Sequence, residues 1–429
     1  MNRTYLQKFL IRLKGHSRIR KESKILSKCN FFLAGLLLPC VLICLSLTGC
    51  WDSVELNRRA IVSGVSIDRG PTEEEKYVVS FQVIVADEIS GKNARGTSPV
   101  SVYKGSGRSM FEALANASRQ TARFLSLGHI RVVIISEKFA QEGIKDIMDV
   151  LERESETRLT SLIFISKGQP ASECMTTMTV FGRIPSNDLV EKLQTTSKQF
   201  GYNYRMEVDD IIRGIQVPGG GPVINGVLVT GDLEQRESND NLKKIRPEAI
   251  IKVTGLAAFK EDKLKGWLQG EEAIGTVLLK NKISQMPVLV SIGENDYISF
   301  NVYLSQVHIH ADAKDIEHPI FTINVTQQAG LKESPNGLDL TDPTVLNNLS
   351  KLLEKNVKEQ IRAAITTARS LKSDYLGFGE AAERANPRGW KQVKDHWDRI
   401  FETCQININT DAVIRHTDMR SDSFQSKNK

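Results

Sequence analysis

The run Ile130-Arg131-Val132-Val133-Ile134-Ile135-Ser136 predicts a β-strand, because five of its residues are β-branched and no turn former interrupts them. Gly128-His129 separates this strand from what precedes it. A helix is expected next, with Phe139, Ile144, Ile147, Met148 and Leu151 on one face, and residues 158–166 predict a further strand.

Residues upstream of this strand extend the same pattern. Segments 60–68 and 77–85 are rich in β-branched residues and predict a hairpin closed by a charged turn. Ser109 can cap a helix whose apolar positions Phe111, Leu114, Ala115, Ala117 and Phe124 recur at helical spacing. The order strand, helix, strand, helix, strand indicates an N-terminal α/β domain over residues 50–200.

The remainder of the chain predicts more strands and one long helix. A linker region containing Pro185 is expected to lead to a strand-rich middle domain over residues 201–282. Residues 283–420 predict a C-terminal α+β domain, whose apolar stripe from Leu349 to Leu371 sustains about six helical turns. The polar tail 421–429 is expected to be disordered. The predicted fold class is α+β with α/β elements: several domains, and mixed sheets with packed helices.

The N-terminus carries a basic leader, an uncharged apolar run and then Leu47-Thr48-Gly49-Cys50. This arrangement predicts a lipoprotein-type signal peptide over residues 1–49. Leu-Thr-Gly-Cys resembles the bacterial lipobox, in which the Cys50 sulfur is acylated, for example with palmitate, and the chain is cut before it. The alternative is an uncleaved transmembrane helix from Phe31 to Leu47, near the lower length limit for a span.

Removal of residues 1–49 changes what the charge and the cysteines imply. The full chain has a net charge of +6, but the leader holds nine basic residues and one acid, which leaves 48 basic against 50 acidic residues. A general case for nucleic-acid binding disappears with that basic excess. Only Cys174 and Cys404 remain beyond Cys50, too few for a disulfide scaffold. Two buried thiols are expected, with a single bridge as the alternative.

No established catalytic or metal-binding motif occurs in the chain. His-Glu-x-x-His, the Walker loop and the Gly-x-Ser-x-Gly elbow are absent. His308 and His310 would face one side of a strand, as two metal ligands should, but an exposed strand face is the favoured interpretation. The pairs Glu271-Glu272 and Asp209-Asp210 are interpreted as solvated surface. We therefore expect no catalytic residue, metal or cofactor.

Trp390 and Trp397 are seven residues apart, which is the spacing of one helical face. Core packing is the expected role for both, and a ligand-binding or membrane-facing role is the alternative. Together with Trp267 they stand out among few aromatic residues. A chain with an anchor and well-formed domains, but without a catalytic constellation, is typical of a binding or assembly component.

Four ordered segments resemble the Ger(x)C family, the lipoprotein C subunits of nutrient germinant receptors in endospore-forming bacteria. They span nearly the whole chain after Cys50, and their combination is specific although each is weak alone. The segments are Gly49-Cys50-Trp51-Asp52 with residues 55–68; Gly128-His129 with residues 132–137, 151–154, Glu156 and Arg158; Gly255-Leu256-Ala257-Ala258-Phe259-Lys260 with Gly266-Trp267-Leu268 and Glu271-Glu272; and Lys372-Ser373-Asp374, Gly377-Phe378-Gly379-Glu380, Trp390, Trp397 and residues 407–415.

The resemblance implies a three-domain α/β lipoprotein without known catalytic activity. Family members act with a multi-pass A subunit and a transporter-like B subunit at the inner spore membrane. The implied function is therefore participation in nutrient-triggered spore germination, on the outer face of that membrane and anchored through Cys50. The resemblance names no nutrient and transfers no catalytic residue.

Two other functions are compatible with the residues alone. A lipid-anchored solute-binding protein of a transporter would show a cleft between two similar lobes. A cell-envelope hydrolase would show converging acids, or a nucleophile beside a base, within a pocket.

Overall fold

The computed structural model describes residues 55–89, 97–181, 183–238, 240–294, 296–334, 340 and 342–416. The predicted signal peptide, Cys50 and the tail 421–429 lie outside these residues. From Arg58 onward the chain belongs to one unit, and the description below concerns that unit.

Thirteen strands are present in the described residues. They are β1 (Arg59–Arg69), β2 (Tyr77–Ile84), β3 (Val100–Gly107), β4 (Phe124–Ser126), β5 (Val132–Ser136), β6 (Leu162–Ser166), β7 (Val223–Gly231), β8 (Ala249–Lys260), β9 (Lys263–Leu268), β10 (Met286–Ser291), β11 (Tyr297–Asp312), β12 (Ile320–Glu333) and β13 (Gln405–His416).

The described α-helices also number thirteen, and two 3₁₀ turns accompany them at Leu56–Arg58 and Lys394–His396. The helices are α1 (Ala86–Ile89), α2 (Met110–Ser118), α3 (Glu137–Glu142), α4 (Lys145–Arg153), α5 (Ala171–Thr176), α6 (Pro185–Gln199), α7 (Val208–Ile215), α8 (Asp240–Lys243), α9 (Gly270–Leu279), α10 (Pro343–Ser370), α11 (Phe378–Ala385), α12 (Pro387–Val393) and α13 (Trp397–Thr403).

The larger sheet has nine strands in the order β3-β2-β1-β5-β6-β7-β8-β9, with β4 pairing beside the start of β1. Strands β1, β5, β6 and β7 are parallel neighbours, and the strands on either side are antiparallel. Every residue of β5 and β6 is buried. Val133 and Ile135 belong to one apolar core, whereas Val132 and Ile134 belong to another on the opposite face. A parallel sheet covered on both faces explains the uninterrupted apolar run.

The smaller sheet has four strands in the order β10-β11-β12-β13. Here buried and exposed residues alternate, as in β10, so one face is covered and the other is open to solvent. Phe321 and Ile323 of β12 lie on the covered face and are fully buried. Helix α10 packs against β13, and α11 packs against β11. The predicted class, α+β with mixed sheets and packed helices, is confirmed.

Two helix predictions were wrong in detail. The helix capped by Ser109 ends at Ser118, so Phe124 lies in β4 instead, and Phe111 is 76% exposed. The buried residues of this helix are Ala113 and Ala117, because it lies so close to β3 that a Cβ on Gly105 would come within 2.0 Å of the Ala113 carbonyl oxygen. Small residues therefore make the closest contact with the sheet, and the larger Met110 and Leu114 pack beside them, partly buried.

The helix predicted after β5 is divided in two. Gly143, with φ of +136°, separates α3 from α4, although the apolar residues named for this face are all buried as expected. The following strand begins at Leu162 and not at residue 158.

The region around Pro185 is a helix and not a linker. Pro185 is the first residue of α6, where its missing N–H and fixed φ are tolerated. Strands β7, β8 and β9 continue the nine-stranded sheet from β6. The nine-stranded sheet therefore contains strands from both sides of residue 200. The domain boundaries at residues 200 and 282 remain predictions.

Candidate functional site

A cleft of about 470 Å³ lies where the parallel strands β1, β5 and β6 end, and it is our candidate functional site. Ligands of open α/β sheets commonly bind beyond the carboxyl ends of the strands. The lining residues are Asp68, Arg69, Ser136, Glu137, Lys138, Gln141, Gly168, Gln169 and Pro170. The Ser136 hydroxyl is buried without a hydrogen-bond partner among the described residues.

The two carboxylates of this cleft already have donors. Asp68 accepts hydrogen bonds from the backbone N–H groups of Ala171 (2.6 Å) and Ser172 (3.0 Å), at the start of α5. Glu137 accepts from the Gly168 N–H (2.7 Å) and the Trp267 indole N–H (2.7 Å). These bonds fix the ends of elements that are distant in sequence. They are the contacts of structural carboxylates more than of a general acid–base pair.

A second buried carboxylate, Asp374, joins the end of α10 to α11 and α13. It accepts from the N–H groups of Gly377, Phe378 and Gly379 at 3.0, 3.1 and 2.5 Å. It also accepts from the Trp397 indole N–H at 2.9 Å. Burial raises the pKa of Asp374, and the four donors oppose that rise. We call these contacts the Asp374 joint.

The predicted tryptophan roles are confirmed at this joint. Trp390 and Trp397 are 3% and 0% exposed, and their rings meet edge-on with centroids 5.0 Å apart. Trp397 also lies edge-on to Phe321 of the smaller sheet. Both residues are therefore core residues. Trp267 is only partly buried, and Lys167 lies over its ring at 4.9 Å.

The predicted buried thiols are also confirmed. Cys174 and Cys404 are free and buried, in different parts of the unit. Burial raises the pKa of the Cys174 thiol to about 12, which leaves it protonated at neutral pH.

The histidine pair and the acidic pairs do not form a site. His308 and His310 lie on the open face of the smaller sheet, opposite Asn324 and Thr322. Asp209 and Asp210 both pair with Arg213 on the first turns of α7. Among the described residues no cluster of three or more His, Cys, Asp or Glu side chains could hold a metal ion.

Glu272 has a structural role that sequence reasoning missed. Its side chain accepts from the backbone N–H of Gln269 (2.9 Å) and so caps α9. It also accepts from the hydroxyl of Thr367 on α10 (3.0 Å).

A smaller cavity of about 310 Å³ lies between the start of β7 and the Asp374 joint. Lys280, which follows α9, lines it together with Asp374 and Glu380. No ion pair of Lys280 is present within the described part of the chain. Burial lowers the pKa of its ammonium group, an effect that Glu380 and Asp374 partly offset. Holding the Lys280 ammonium group in this cavity therefore lowers the free energy of unfolding.

Hydrogen bonds connect the segments that carry the family resemblance. Glu137 of the second segment holds Trp267 of the third, and the Ser373 hydroxyl of the fourth donates to the Phe259 carbonyl of the third at 2.6 Å. Glu156 of the second segment accepts from the N–H of Leu127, the residue just before that segment, at 3.0 Å. The sequence identified these residues as a pattern but not their partners, which lie up to 130 residues away.

None of the described helices combines the length and hydropathy needed to cross a membrane.

Comparisons with known proteins match nearly the same part of the chain as the four segments that carry the family resemblance. Residues 52–228 match the family described as "Spore germination protein N-terminal domain", and residues 254–418 match "Spore germination B3/ GerAC like, C-terminal". Spore germination protein KC of Bacillus subtilis is 31% identical over 411 residues, which are 93% of this chain and 98% of that protein. Spore germination protein B3 of the same organism is 22% identical over 86% of this chain and 94% of its own length.

A solved structure described as "Crystal Structure of the GerBC protein" has a similar fold. Its TM-score is 0.52 with 18% identity, and the match covers 82% of this chain and 96% of that one. At this identity the likeness concerns the fold alone. The two matched family regions and the 31% identical relative show more: this chain belongs to the Ger(x)C family of spore germination proteins.

Proposed function

We propose that this protein is the lipid-anchored, non-catalytic C subunit of a nutrient germinant receptor, acting with membrane A and B subunits to initiate spore germination. The observation that carries the proposal is the match to both family regions in order, over 52–228 and 254–418. The name of the 31% identical relative, a spore germination protein, supports the same process.

The hydrogen-bonded carboxylates support a role in assembly more than in catalysis. Three carboxylates at the clefts described above are Asp68, Glu137 and Asp374, and each of them already accepts two or more hydrogen bonds. A carboxylate so occupied orients neighbouring segments and has little freedom to transfer protons. This favours a subunit whose fixed surface is recognised by partners over a cell-envelope hydrolase.

Acylation of Cys50 would account for the membrane location. One acyl chain gives marginal binding, whereas several chains on one cysteine, or added protein contacts, make the attachment durable. Tethering also raises the effective concentration of the chain beside its membrane partners, so modest contacts suffice for assembly.

The alternative of a solute-binding protein has less support. The candidate cleft lies at the edge of a single sheet, formed by the ends of β1, β5 and β6, and not between two similar lobes. Titration of the purified protein with amino acids and sugars would test direct nutrient binding. Saturable binding of a nutrient at micromolar levels would favour this alternative.

Deletion of the gene tests the function. We expect spores that fail to respond to one nutrient while vegetative growth is normal. Replacement with Cys50→Ala tests the anchor, and we expect the protein to leave the membrane fraction and germination to be impaired. Cys174→Ala is the matched control, since this buried thiol is outside the signal. A Cys50→Ala protein that stays membrane-bound and supports full germination would contradict the anchoring proposal.

A further inference from the structure

Two adjoining clefts lie at the amino ends of the parallel strands, opposite the candidate site. The first, of about 480 Å³, is lined by residues at the starts of β1, β5 and β6. The second, of about 400 Å³, continues from it along α6. Both are lined by Leu162, Val190 and Arg205, so we treat them as one feature, the basic groove.

The basic groove carries an unbalanced positive charge. Its basic residues are His129, Arg131, Arg158, Lys198, Arg205 and Lys282. None of the described residues that line it carries a carboxylate. All six of these side chains belong to exposed residues.

Few of these charges are neutralised by neighbours. Arg205 pairs with Glu207, and Arg131 donates a hydrogen bond to the neutral side chain of Asn187 at 2.7 Å. Within the described part of the chain, Arg158 and Lys282 form no ion pair. A nearby acid, Glu156, is engaged by Arg59 and by the Leu127 N–H. The groove thus offers free cations to an external anion.

The backbone holds this end of the sheet firmly. The Arg131 N–H donates to the Ser63 carbonyl at 2.9 Å, and the Leu162 N–H donates to the Arg131 carbonyl at 2.8 Å. The Ser161 hydroxyl donates to the Ile130 carbonyl at 2.7 Å. Arg131 is therefore presented from a rigid strand end, so little backbone ordering is needed when an anion binds.

Chain connectivity brings the groove within reach of the proposed lipid anchor. Ile61 and Ser63 of β1 line its first cleft, and β1 begins at Arg59. Cys50 is nine residues before Arg59, a length that spans at most about 30 Å. An acylated Cys50 would keep this end of the sheet close to the membrane surface.

An exposed aromatic residue lies at the same end. Phe124 of β4 is in register with Arg59 of β1, and 64% of its surface is exposed. Aromatic rings beside basic residues are typical of surfaces that contact the interfacial region of a bilayer. Phe124 and the basic groove therefore both indicate a bilayer surface as the partner.

We propose that the basic groove binds the headgroups of anionic phospholipids, so that the protein lies against the membrane on the amino ends of its parallel strands. The proposal rests on the anchoring of Cys50 proposed above. Each Lys or Arg close to an anionic leaflet strengthens attachment by roughly fivefold, and salt screens the effect. An acidic protein segment is the other anion that such a groove could accept.

Arginine labelling of the full lipid-bearing protein on vesicles tests the proposal. One sample uses phosphatidylcholine vesicles, and the other uses an equal mixture with phosphatidylglycerol. Phenylglyoxal modification is followed by mass spectrometry at each arginine. We expect labelling of Arg131 and Arg158 to slow about fivefold on the anionic vesicles. Arg388 of α12, which is exposed and has no ion pair within the described residues, serves as the internal control and should not change.

A double variant provides a second measurement. Arg131→Gln with Arg158→Gln should abolish the difference in amide hydrogen exchange that residues 127–131 show between the two vesicle types. Lys265→Gln with Lys391→Gln, at exposed positions on β9 and α12, should leave that difference intact.

The outcomes separate this proposal from the one on which it rests. Failure to float with phosphatidylcholine vesicles would refute the anchor. Flotation with both vesicle types and equal labelling of Arg131 and Arg158 would overturn the groove proposal alone. Protection by soluble polyaspartate on phosphatidylcholine vesicles, without protection by phosphatidylglycerol, would also overturn it and would identify an acidic protein segment as the occupant.

Discussion

The two sheets differ in their exposure to solvent. Strands β5 and β6 of the larger sheet are buried along their whole length, with separate apolar cores on their two faces. The smaller sheet, formed by β10 to β13, is covered on one face only, and its other face presents polar residues such as His308, Asn324 and Asn409. The same type of backbone ladder thus serves as an interior layer in one region and as an outer wall in the other.

This difference indicates where function can lie. Cleft residues of the larger sheet occur at strand ends, where the chain leaves the two cores, and both the candidate site and the basic groove are found there. In the smaller sheet the open face presents polar side chains to solvent, and the covered face packs on α10 and α11. The first region therefore offers the candidate site and the basic groove, and the second offers an exposed polar surface.

The largest effect should come from a substitution inside the larger sheet. Phe164→Ala in β6 removes a fully buried ring, so we expect a loss of about 3–5 kcal/mol in the free energy of unfolding, measured by denaturant titration. His310→Ala on the open face should change it by less than about 0.5 kcal/mol. Equal losses for the two variants would break the contrast between the sheets.

The Asp374 joint should give the next largest effect. Asp374→Asn keeps the shape but replaces an acceptor oxygen with a donor that faces N–H groups, and we expect a loss of about 2–3 kcal/mol. Asp209→Asn, a surface residue paired with Arg213, should cost less than about 1 kcal/mol. Calorimetric melting of both variants would measure the difference, and similar melting temperatures would contradict a structural role for the joint.

Lys280 predicts a pH-dependent effect of smaller size. Because burial lowers its pKa in the folded state, the unfolded chain binds a proton more readily between that pKa and the usual value. Lys280→Met should therefore stabilise the protein at neutral pH, and its advantage should shrink as pH rises towards 10. Parallel urea titrations across this range measure the difference between the two proteins. An advantage that grows with pH would disprove the assignment.

The smallest effect is expected at the thiols. With a pKa of about 12, Cys174 should not react with a thiol reagent at pH 8 until the protein unfolds. Mass spectrometry of the labelled native protein should find Cys174 unmodified. Rapid labelling under native conditions would show that the core around α5 opens easily.

Sequence patterns predicted the parts of the fold that depend on local residues. The runs at β5 and β6 and the stripe of α10 were visible because burial selects apolar residues at neighbouring or periodic positions. The predicted face of α2 was right at Ala117, which is buried, and wrong at Phe111, because the packing depends on Gly105, a contact between different elements. Likewise Pro185 starts a helix whose position is set by packing on β8, which no local signal reports.

The candidate sites were less accessible to sequence reasoning. Glu137 and Asp374 appeared within motifs, but their roles depend on Trp267 and Trp397 in other elements. The basic groove draws its cations from five segments spread over more than 150 residues, and the recalculated net charge near neutrality hid them. Only the folded chain brings these residues to one end of the sheet.

The most direct test of the proposed function is the intact mass and N-terminal sequence of the protein recovered from spore membranes. We predict a mature chain that begins at Cys50 and carries the added mass of its acyl chains. A membrane-bound chain that retains residues before Cys50 and has no lipid on that cysteine would contradict the proposal.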